Sequence, residues 1–458
     1  MRTLIHNAKI VNEGRTFKGA VLIDGECIVE VFDGDNPFVH NSLHIDHCID
    51  AEGALLLPGV IDTHVHFREP GLTQKADIAH ESRAALAGGV TSTMDMPNVN
   101  PPTTTPSRWH ERMALGARES RVNYSYYIGA TNEAQDNPSL APIKLFMGSS
   151  TGNMLVDNRD TLQRLFRTAA QSDAPYPIVA HCEDTPRINE RMADAKKRWG
   201  DDPPVEHHPW IRDEEACYRS SSLAAQLARQ TGARLHIAHI STERELSLLP
   251  DDANTAPVPS SVETGGRITL EACVAHLLFC DEDYSLLGTR IKCNPAVKSR
   301  NDRNALRRAV ADGRILTIAT DHAPHLLSEK EGGCARAASG MPMIQFSLIS
   351  MLGLVDEGAF TLERMVDAMC HQPALLFGIR GRGFIRPGYK ADLVIVRPET
   401  WTLRKEDILS KCGWSPLEGY TFRWRVQQTY LNGLLAYDHG HIDDAVRGEA
   451  LRFGSPTD

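Results

Sequence analysis

The stretch GVIDTHVHFREPG, residues 59–71, decides which fold this sequence predicts. It continues an apolar run that begins at Leu55, and it ends on two histidines, His64 and His66, one residue apart. Because side chains alternate between the two faces of a β-strand, both imidazoles would lie on one face and converge at the strand's end. A lone histidine is usually a packed side chain. A pair at this spacing predicts a metal site if other strands supply partners.

Seven more compact β-branched or apolar runs follow the first one before about Phe377, and helical patterns separate them. This alternation is typical of βα units around a parallel sheet. Eight units in a row predict an α/β protein with a closed (β/α)8, TIM-like barrel. The runs are LLLPGVIDTHVHF, GVTSTMDMP, NYSYYIGA, PIKLFMG, PIVAHCED, RLHIAHIS, RITLEACV and ILTIATDHAP.

The two chain ends have a different pattern from the middle. Short β-like runs such as AVLIDGECIVEVF at the front and ADLVIVRP at the back predict one small β-sandwich domain built from both termini. We therefore expect residues 1–54 plus 385–458 to form this domain and residues 55–384 to form the barrel inserted in it. Three Gly/Pro/Ser-rich stretches predict loops, and the last could act as a lid. They are 198–210, 250–266 and 323–342.

Composition narrows the class of protein. The 458 residues are 41% hydrophobic and 24% charged, as expected for a soluble globular chain. A net charge of -10 argues against nucleic acid or an anionic membrane as the main partner. The start lacks an apolar signal-peptide core, and no stretch approaches the ~20 apolar residues that cross a bilayer, so we expect a cytoplasmic protein. The 10 cysteines are scattered without a CxxC pair, which predicts reduced, buried thiols.

Candidate partners for the histidine pair stand at the ends of four later runs. Barrel active sites gather residues from the C-terminal ends of several strands. Four histidines with a carboxylate exceed one catalytic zinc site, so the set predicts two Zn²⁺ or similar cations. His236 lies three positions before His239 and points elsewhere on a regular strand, so we assign it to packing. The partners are Lys144, His181, His239 and Asp321.

Lys144 is the unexpected member of this set, because an ammonium group repels cations. Lysines usually lie at the surface, but Ile143, Leu145 and Phe146 place this one in an apolar strand. The motifs around the candidates resemble those of the dihydroorotases in the cyclic amidohydrolase superfamily. They are DTHVHFREPG, MPNVNPP, IKLFMGSSTG, VAHCED, IAHIST and IATDHAPH. KCNPAVK, GRGFIRPGYKADLVIV and KCGWSPLEG extend the likeness over nearly the whole chain.

The resemblance implies a metal centre of the carboxylated-lysine branch. In that branch CO₂ adds to a lysine at the end of the fourth barrel strand, and the carbamate bridges two metals; Lys144 matches that position. Burial lowers a lysine pKa from ~10.4 and so frees neutral amine for this addition. The implied ligands are His64, His66 and Asp321 for one Zn²⁺, and His181 and His239 for the other.

The resemblance also implies the reaction, which is the reversible hydrolysis of (S)-dihydroorotate to N-carbamoyl-L-aspartate in pyrimidine (UMP) biosynthesis. A hydroxide between the metals would attack the ring carbonyl, with Asp321 as general base and then acid. Arg68 would bind the substrate carboxylate through two parallel hydrogen bonds. The other implied substrate-binding residues are Asn98, Asn294 and His325. A homodimer with small-molecule substrates is implied as well.

Other interpretations stay open from the sequence. Hydantoinases, dihydropyrimidinases and allantoinases open related cyclic amides with the same metals, but they generally lack REPG, so Arg68 is the discriminating residue. Asn98 and Asn294 could instead be turn residues. A metal-free scaffold would have lost ligands, and none is missing here. Asp62 and Asp95 either orient ligand imidazoles or accept hydrogen bonds from backbone amides.

Overall fold

The structure, a computed structural model, describes residues 1–34, 45–133, 140–148, 154–174, 176–249 and 268–454. Its strands are β1 (Arg2–Asn12), β2 (Arg15–Asp24), β3 (Cys27–Asp33), β4 (His47–Asp50), β5 (Leu55–Pro58), β6 (Val60–Val65), β7 (Val90–Asp95), β8 (Asn123–Tyr126), β9 (Ile128–Gly129), β10 (Ile143–Phe146), β11 (Ile178–His181), β12 (Leu235–Ile237), β13 (Ile268–Cys273), β14 (Thr317–Ala319), β15 (Leu393–Thr402), β16 (Thr421–Leu431), β17 (Leu434–Asp438) and β18 (His441–Ile442).

The α-helices mostly follow the barrel strands, as βα units require. They are α1 (Ile78–Ala87), α2 (Pro106–Glu119), α3 (Arg159–Ala170), α4 (Thr185–Trp199), α5 (His208–Ile211), α6 (Glu214–Thr231), α7 (Val274–Leu278), α8 (Tyr284–Leu287), α9 (Arg300–Ala311), α10 (Ser347–Asp356), α11 (Leu362–Val366) and α12 (Gln372–Phe377). Local sequence sets their ends: Asp213 caps α6 by accepting from Ala216 N, and Gly232, with a φ of 81°, ends it.

Parallel pairing joins the eight predicted runs into a barrel. β6, β7 and β8 pair in that order, and β9 to β14 pair one after another. β8 and β9 are two segments of one run that is interrupted at Tyr127. The ring closes where Val65 bridges His322, just beyond β14, and where His66 N donates to His322 O at 2.8 Å. The predicted (β/α)8 barrel is confirmed.

The first predicted strand is divided at Gly59. Leu55–Pro58 leaves the barrel and pairs with β15 and β1, whereas the barrel strand begins at Val60. A Cβ at Gly59 would lie 2.1 Å from Thr91 Oγ1, so the close approach of β7 requires glycine here. The two-domain division, with residues 1–54 plus 385–458 in one unit and residues 55–384 in the other, remains our proposal.

Both chain ends contribute to the second sheet, which has the order β18-β17-β16-β15-β5-β1-β2-β3, with β4 beside β1. The first half of β1 pairs with β4 and the second half with β5, on either side of a bulge between Ile5 and Ala8. Ile10 from the front and Leu393 from the back belong to one apolar core that is separate from the barrel's. The predicted small β unit is thus one hydrogen-bonded sheet whose strands share this core.

Other sequence expectations have mixed outcomes. All ten cysteines are free thiols and most are buried, as predicted. The loop predicted at 198–210 is partly wrong, because a 3₁₀ turn at Val205–His207 leads into α5. The loop predicted at 323–342 contains a 3₁₀ turn, Leu327–Lys330, and no α-helix. The loop predicted at 250–266 lies outside the described residues. In the described part of the chain, no helix has both the length and the apolar character to cross a membrane.

Candidate active site and metal centre

The C-terminal ends of the barrel strands bring the first predicted ligand set together. His64 Nε2 and His66 Nε2 lie 3.4 Å and 3.0 Å from Asp321 Oδ1, across the seam where the barrel closes. The donor atoms of these three side chains lie within 4.8 Å of one another. The set is therefore compact enough for one cation to contact all three.

The second predicted set forms the adjoining wall. His181 is the last residue of β11, and His239 lies two residues beyond β12. His181 Nδ1 faces His239 Nε2 at 2.9 Å. The ring centroids of His64 and His239 are 5.2 Å apart, so the two sets share one pocket.

Lys144 lies in the wall of the same pocket. It sits in β10, in register with Gly129 and Val179, and its side chain is 0% exposed. Among the described residues its Nζ has no hydrogen-bond partner. Burial lowers the pKa of Lys144, while the carboxylates of Glu271 and Asp321 oppose that shift. A buried polar atom without a partner costs about 1–3 kcal/mol, a cost that a group bound to this nitrogen would offset.

The charge states suit metal binding. Burial lowers the pKa of His66 to about 4, and it also lowers the pKa values of His181 and His239. These rings are neutral at pH 7 and keep a free lone pair for a cation. Burial alone would raise the pKa of Asp321, but the imidazoles of His64 and His66 hold it well below its ordinary value. Asp321 is therefore ionised, as a carboxylate that binds a cation must be.

Two oxygen acceptors orient the first histidine pair. Glu271 Oε1 lies 2.7 Å from His64 Nδ1, and Asn98 Oδ1 lies 2.8 Å from His66 Nδ1. With Nδ1 donating to these acceptors, each ring would present its Nε2 lone pair to a cation bound in the pocket. Glu271 was not among the site residues predicted from the sequence. The signal that could have revealed it is a carboxylate in the middle of the apolar run RITLEACV.

Asp62 and Asp95 accept hydrogen bonds from backbone amides and not from the imidazoles, and Asp95 also forms a buried ion pair with Arg112. Asp62 Oδ1 accepts from His64 N at 3.1 Å and from Thr320 N at 3.2 Å. Asp95 Oδ1 accepts from Phe67 N at 3.2 Å. The hypothesis that they orient ligand rings is therefore wrong, and the alternative, that they bind backbone amides, is confirmed. Both carboxylates fix the strand ends that carry the site.

Three site residues have backbones in the left-handed region, where non-glycine residues are uncommon. The φ angles are 67° at Arg68, 38° at His239 and 48° at Asp321. Such conformations cost about 1–3 kcal/mol each and persist only where the surroundings enforce them. All three residues lie just beyond a barrel strand, so the backbone turns sharply where their side chains enter the pocket.

Arg68, Asn98 and Asn294 line the pocket beside the metal-ligand candidates. Arg68 is only 2% exposed, and its Nε donates to Pro324 O at 3.1 Å. Burial lowers the pKa of Arg68 to about 10, which leaves it charged at pH 7. No carboxylate of the described residues forms an ion pair with its guanidinium. His325 lies behind Arg68, outside the pocket lining.

Known proteins resemble this chain along its whole length. The profile of the amidohydrolase family matches residues 55–435. The dihydroorotase of Halobacterium salinarum is 35% identical over 450 residues, which cover 96% of this chain and 100% of that protein. The dihydroorotase of Methanothermobacter thermautotrophicus is 30% identical over 399 residues, covering 86% of each chain.

Solved structures show the same fold. An L-hydantoinase (dihydropyrimidinase) from Arthrobacter aurescens aligns with a TM-score of 0.86 at 24% identity, over 96% of this chain and 97% of the other. A dihydropyrimidinase from Brevibacillus agri aligns with a TM-score of 0.87 at 21% identity, over 99% of both chains. At these identities the likeness concerns the fold alone. The family match and the full-length likeness to dihydroorotases show that the chain belongs to the amidohydrolase family and, within it, to the dihydroorotases.

Proposed function

We propose that this enzyme catalyses the reversible hydrolysis of (S)-dihydroorotate to N-carbamoyl-L-aspartate in pyrimidine biosynthesis. The observation that carries the proposal is Arg68, a buried guanidinium without a carboxylate partner in the described structure, in the same pocket as the histidine and aspartate cluster. A buried unpaired cation requires an anionic partner. Dihydroorotate carries a ring carboxylate that hydantoins and dihydropyrimidines lack, so it supplies that partner.

We propose that two divalent cations bind in this pocket and that the metal is zinc. The fit is supported by the neutral imidazoles, by the ionised Asp321 and by buried donor atoms without partners, among them Lys144 Nζ and His239 Nδ1. When bound, the cations would supply the Lewis acidity that polarises the ring carbonyl and lowers the pKa of a water molecule. The residues that would hold them are His64, His66, His181, His239, Asp321 and carboxylated Lys144.

Lys144 would reach its anionic form by reaction with CO₂. The neutral amine that burial favours adds through Nζ to the carbon of CO₂, and one proton leaves the nitrogen. The product is an anionic carbamate with two oxygen atoms that would bind the cations held by the two ligand sets. A lysine ammonium would repel the cations, whereas this anion attracts them.

Asp321 would move the proton. It accepts a proton from water as the water oxygen bonds to the ring carbonyl carbon. It then delivers that proton to the ring nitrogen as the bond between carbon and nitrogen breaks, and the second proton of the water leaves with the new carboxyl group. Arg68 holds the substrate carboxylate through two parallel N–H donors, while the amides of Asn98 and Asn294 contact the ring. In the reverse direction the same groups close the ring.

Location and assembly are part of the same proposal. We expect the enzyme to work in the cytoplasm as a homodimer on small-molecule substrates. The net charge of -10 disfavours nucleic acid and anionic membrane surfaces as partners.

Substrate kinetics test the function. The purified enzyme is assayed with dihydroorotate, hydantoin, dihydrouracil and allantoin, alongside Arg68→Met. We expect dihydroorotate to be preferred, and Arg68→Met to lower its kcat/KM at least about 10²-fold, because two charge-assisted hydrogen bonds are lost. Metal content by elemental analysis should be unchanged.

The matched control is Arg15→Met, which removes a 67% exposed arginine that pairs with Asp33 on the surface. It should leave kcat/KM unchanged. Faster turnover of hydantoin or allantoin by the native enzyme would favour the alternative amidohydrolase function. A loss of metal in Arg68→Met would show that this arginine supports the metal centre and not the substrate.

A further inference from the structure

Lys75 lies behind the substrate pocket, in the loop that follows Arg68. Its Nζ is 3.2 Å from His325 Nδ1 and 2.8 Å from Glu329 Oε1. On its other side, the His325 ring meets Arg68, with Nε2 3.2 Å from Arg68 Nη2. The series Glu329, Lys75, His325 and Arg68 therefore links a partly exposed carboxylate to the guanidinium that we assign to the substrate.

His325 carries a single ring proton. The side chain is 2% exposed, and burial lowers its pKa, as do the nearby cations Arg68, Lys75 and Lys330. The ring is therefore neutral at pH 7, so one nitrogen donates and the other accepts. Which nitrogen carries the proton decides what the ring does to its neighbours.

Nε2 of His325 has two competing neighbours. Ser339 O, which can only accept, lies at 3.1 Å, and the Nη2 of Arg68, which can only donate, lies at 3.2 Å. A protonated Nε2 donates to Ser339 O and leaves Arg68 Nη2 free of the ring. An unprotonated Nε2 accepts from Arg68 instead. The tautomer of His325 thus decides the state of the Arg68 guanidinium. In one tautomer Nη2 is available to a ligand, and in the other it is bound to the protein.

Lys75 determines which tautomer His325 adopts. An ammonium group only donates, so at 3.2 Å it requires a lone pair on His325 Nδ1. The proton then resides on Nε2 and is donated to Ser339 O. Glu329, an acceptor 3.5 Å from the same Nδ1, would favour the opposite tautomer, but it is paired with Lys75.

We propose that Lys75 is a positioning residue for substrate specificity: by fixing the tautomer of His325, it keeps Arg68 Nη2 free for the carboxylate of the substrate. This inference rests on the proposed function for its substrate, but the tautomer itself does not depend on that function. Lys75 touches no reacting atom, and it acts through His325 on Arg68.

The inference predicts an effect on binding and not on chemistry. In Lys75→Met the proton can move to Nδ1, towards Glu329, and Nε2 then accepts from Arg68. A carboxylate contact that is equal in the ground state and the transition state affects KM and not kcat. We expect KM for dihydroorotate to rise about tenfold, the equivalent of one weakened charge-assisted hydrogen bond, with kcat within about twofold.

Two further variants separate this role from a structural one. Lys75→Arg retains a donor-only cation and should keep KM within about threefold of the native value. Lys197→Met is the matched control, because Lys197 also pairs with a carboxylate at 2.9 Å but lies on the surface. An unchanged KM in Lys75→Met, or a failure of Lys75→Arg to retain the native KM, would overturn the inference.

Nitrogen NMR of histidine-labelled protein gives an outcome that is independent of turnover. The His325 signals are assigned by difference from His325→Gln, and they report which ring nitrogen carries the proton. A proton on Nε2 in the native enzyme and its movement to Nδ1 in Lys75→Met support the inference. A native Nδ1–H tautomer or a doubly protonated ring refutes it. If dihydroorotate is not turned over at all, the proposed function fails, while the NMR result still decides the role of Lys75.

Discussion

Two histidines three residues apart show how the two ends of the barrel interior differ. His236 lies in the barrel floor, the end filled by the apolar side chains of Ile61, Met94, Val179 and Phe377. His239 lies in the barrel mouth, the pocket of ligand candidates. Both rings are buried, at 0% and 3% exposure. Burial therefore does not separate a packed histidine from a candidate ligand.

The hydrogen bonds of the two rings distinguish the packed His236 from the candidate ligand His239. In the floor, His236 Nδ1 is 2.8 Å from Thr269 Oγ1, and Nε2 is 3.2 Å from Thr317 Oγ1, so both nitrogens have partners. In the mouth, His239 Nδ1 and Lys144 Nζ have none among the described residues. Each such atom costs about 1–3 kcal/mol. The polar atoms of His236 in the floor are thus paired. In the mouth, the unpaired atoms lower the stability of the folded protein, and bound ligands would offset that loss.

Lys144→Ala should have the largest effect on the mouth. If Lys144 carries the proposed carbamate, its loss removes an anionic ligand of the proposed cations, so we expect activity to fall on the order of 10³-fold or more, equivalent to several kcal/mol of lost electrostatic stabilisation. Short carboxylic acids such as acetate should then restore part of the activity by replacing the proposed carbamate. Steady-state rates with and without added acid measure both effects.

Lys144→Met tests the amine without emptying the space that the lysine side chain fills. It keeps most of the buried volume and removes the amine that has no partner, so its metal-free form should unfold at an equal or higher denaturant concentration than metal-free native enzyme. Unchanged turnover in Lys144→Ala would refute the bridging role. A strong loss of stability in metal-free Lys144→Met would show that the Lys144 amine supports the structural core.

Met94→Ala tests the floor in the opposite way. Met94 is 0% exposed within the apolar floor cluster, and its truncation leaves a cavity. We expect a loss of about 2–5 kcal/mol in the free energy of unfolding, with metal content and kcat close to native. Denaturant titration and elemental analysis check the two halves of this expectation.

A volume-conserving control makes the floor prediction sharper. Met94→Leu should cost less than about 1.5 kcal/mol, because it fills most of the same space. If Met94→Ala instead released metal without lowering stability, floor and mouth would be coupled, and the division between them would be wrong.

The sequence predicted the barrel well because its signal is repeated and local. Eight apolar runs alternate with helical patterns, and the histidines and the aspartate stand at the ends of those runs, where parallel strands must converge. Such a pattern needs no knowledge of distant contacts. The prediction of the strand ends was therefore enough to bring residues as far apart as His64 and Asp321 into one pocket.

What the sequence missed depends on tertiary contacts. The division at Gly59 follows from the close approach of Thr91, about thirty residues away. The hydrogen bonds of Asp62 and Asp95 depend on which amides lie opposite them across the sheet. Glu271 pairs with His64 over a separation of 207 residues, and the sequence around Glu271 does not predict that partner.

Glu271 lies between the two regions. Its Oε1 accepts from His64 Nδ1 at 2.7 Å and from His239 N at 3.1 Å, and its Oε2 lies 3.6 Å from His236 Nε2. Burial would raise the pKa of Glu271, but these imidazoles hold it well below its ordinary value. The carboxylate therefore orients a candidate ligand ring in the mouth, His64, while it faces the packed ring of His236 in the floor.

Glu271→Gln keeps the size and one acceptor oxygen but removes the charge that makes His64 a stronger ligand. We expect metal affinity to fall about 10–100-fold, the range for a lost hydrogen-bond partner of a ligating histidine, as measured by competition with a chelating dye. Glu245→Gln is the matched control, because Glu245 is also buried but bonds to Ser221 and Thr242 outside the pocket. If both variants lowered metal affinity equally, the effect would come from disturbing a buried carboxylate in general. If only Glu271→Gln did so, the metal affinity of the mouth would depend on the charge of Glu271, a carboxylate that also contacts His236 in the floor.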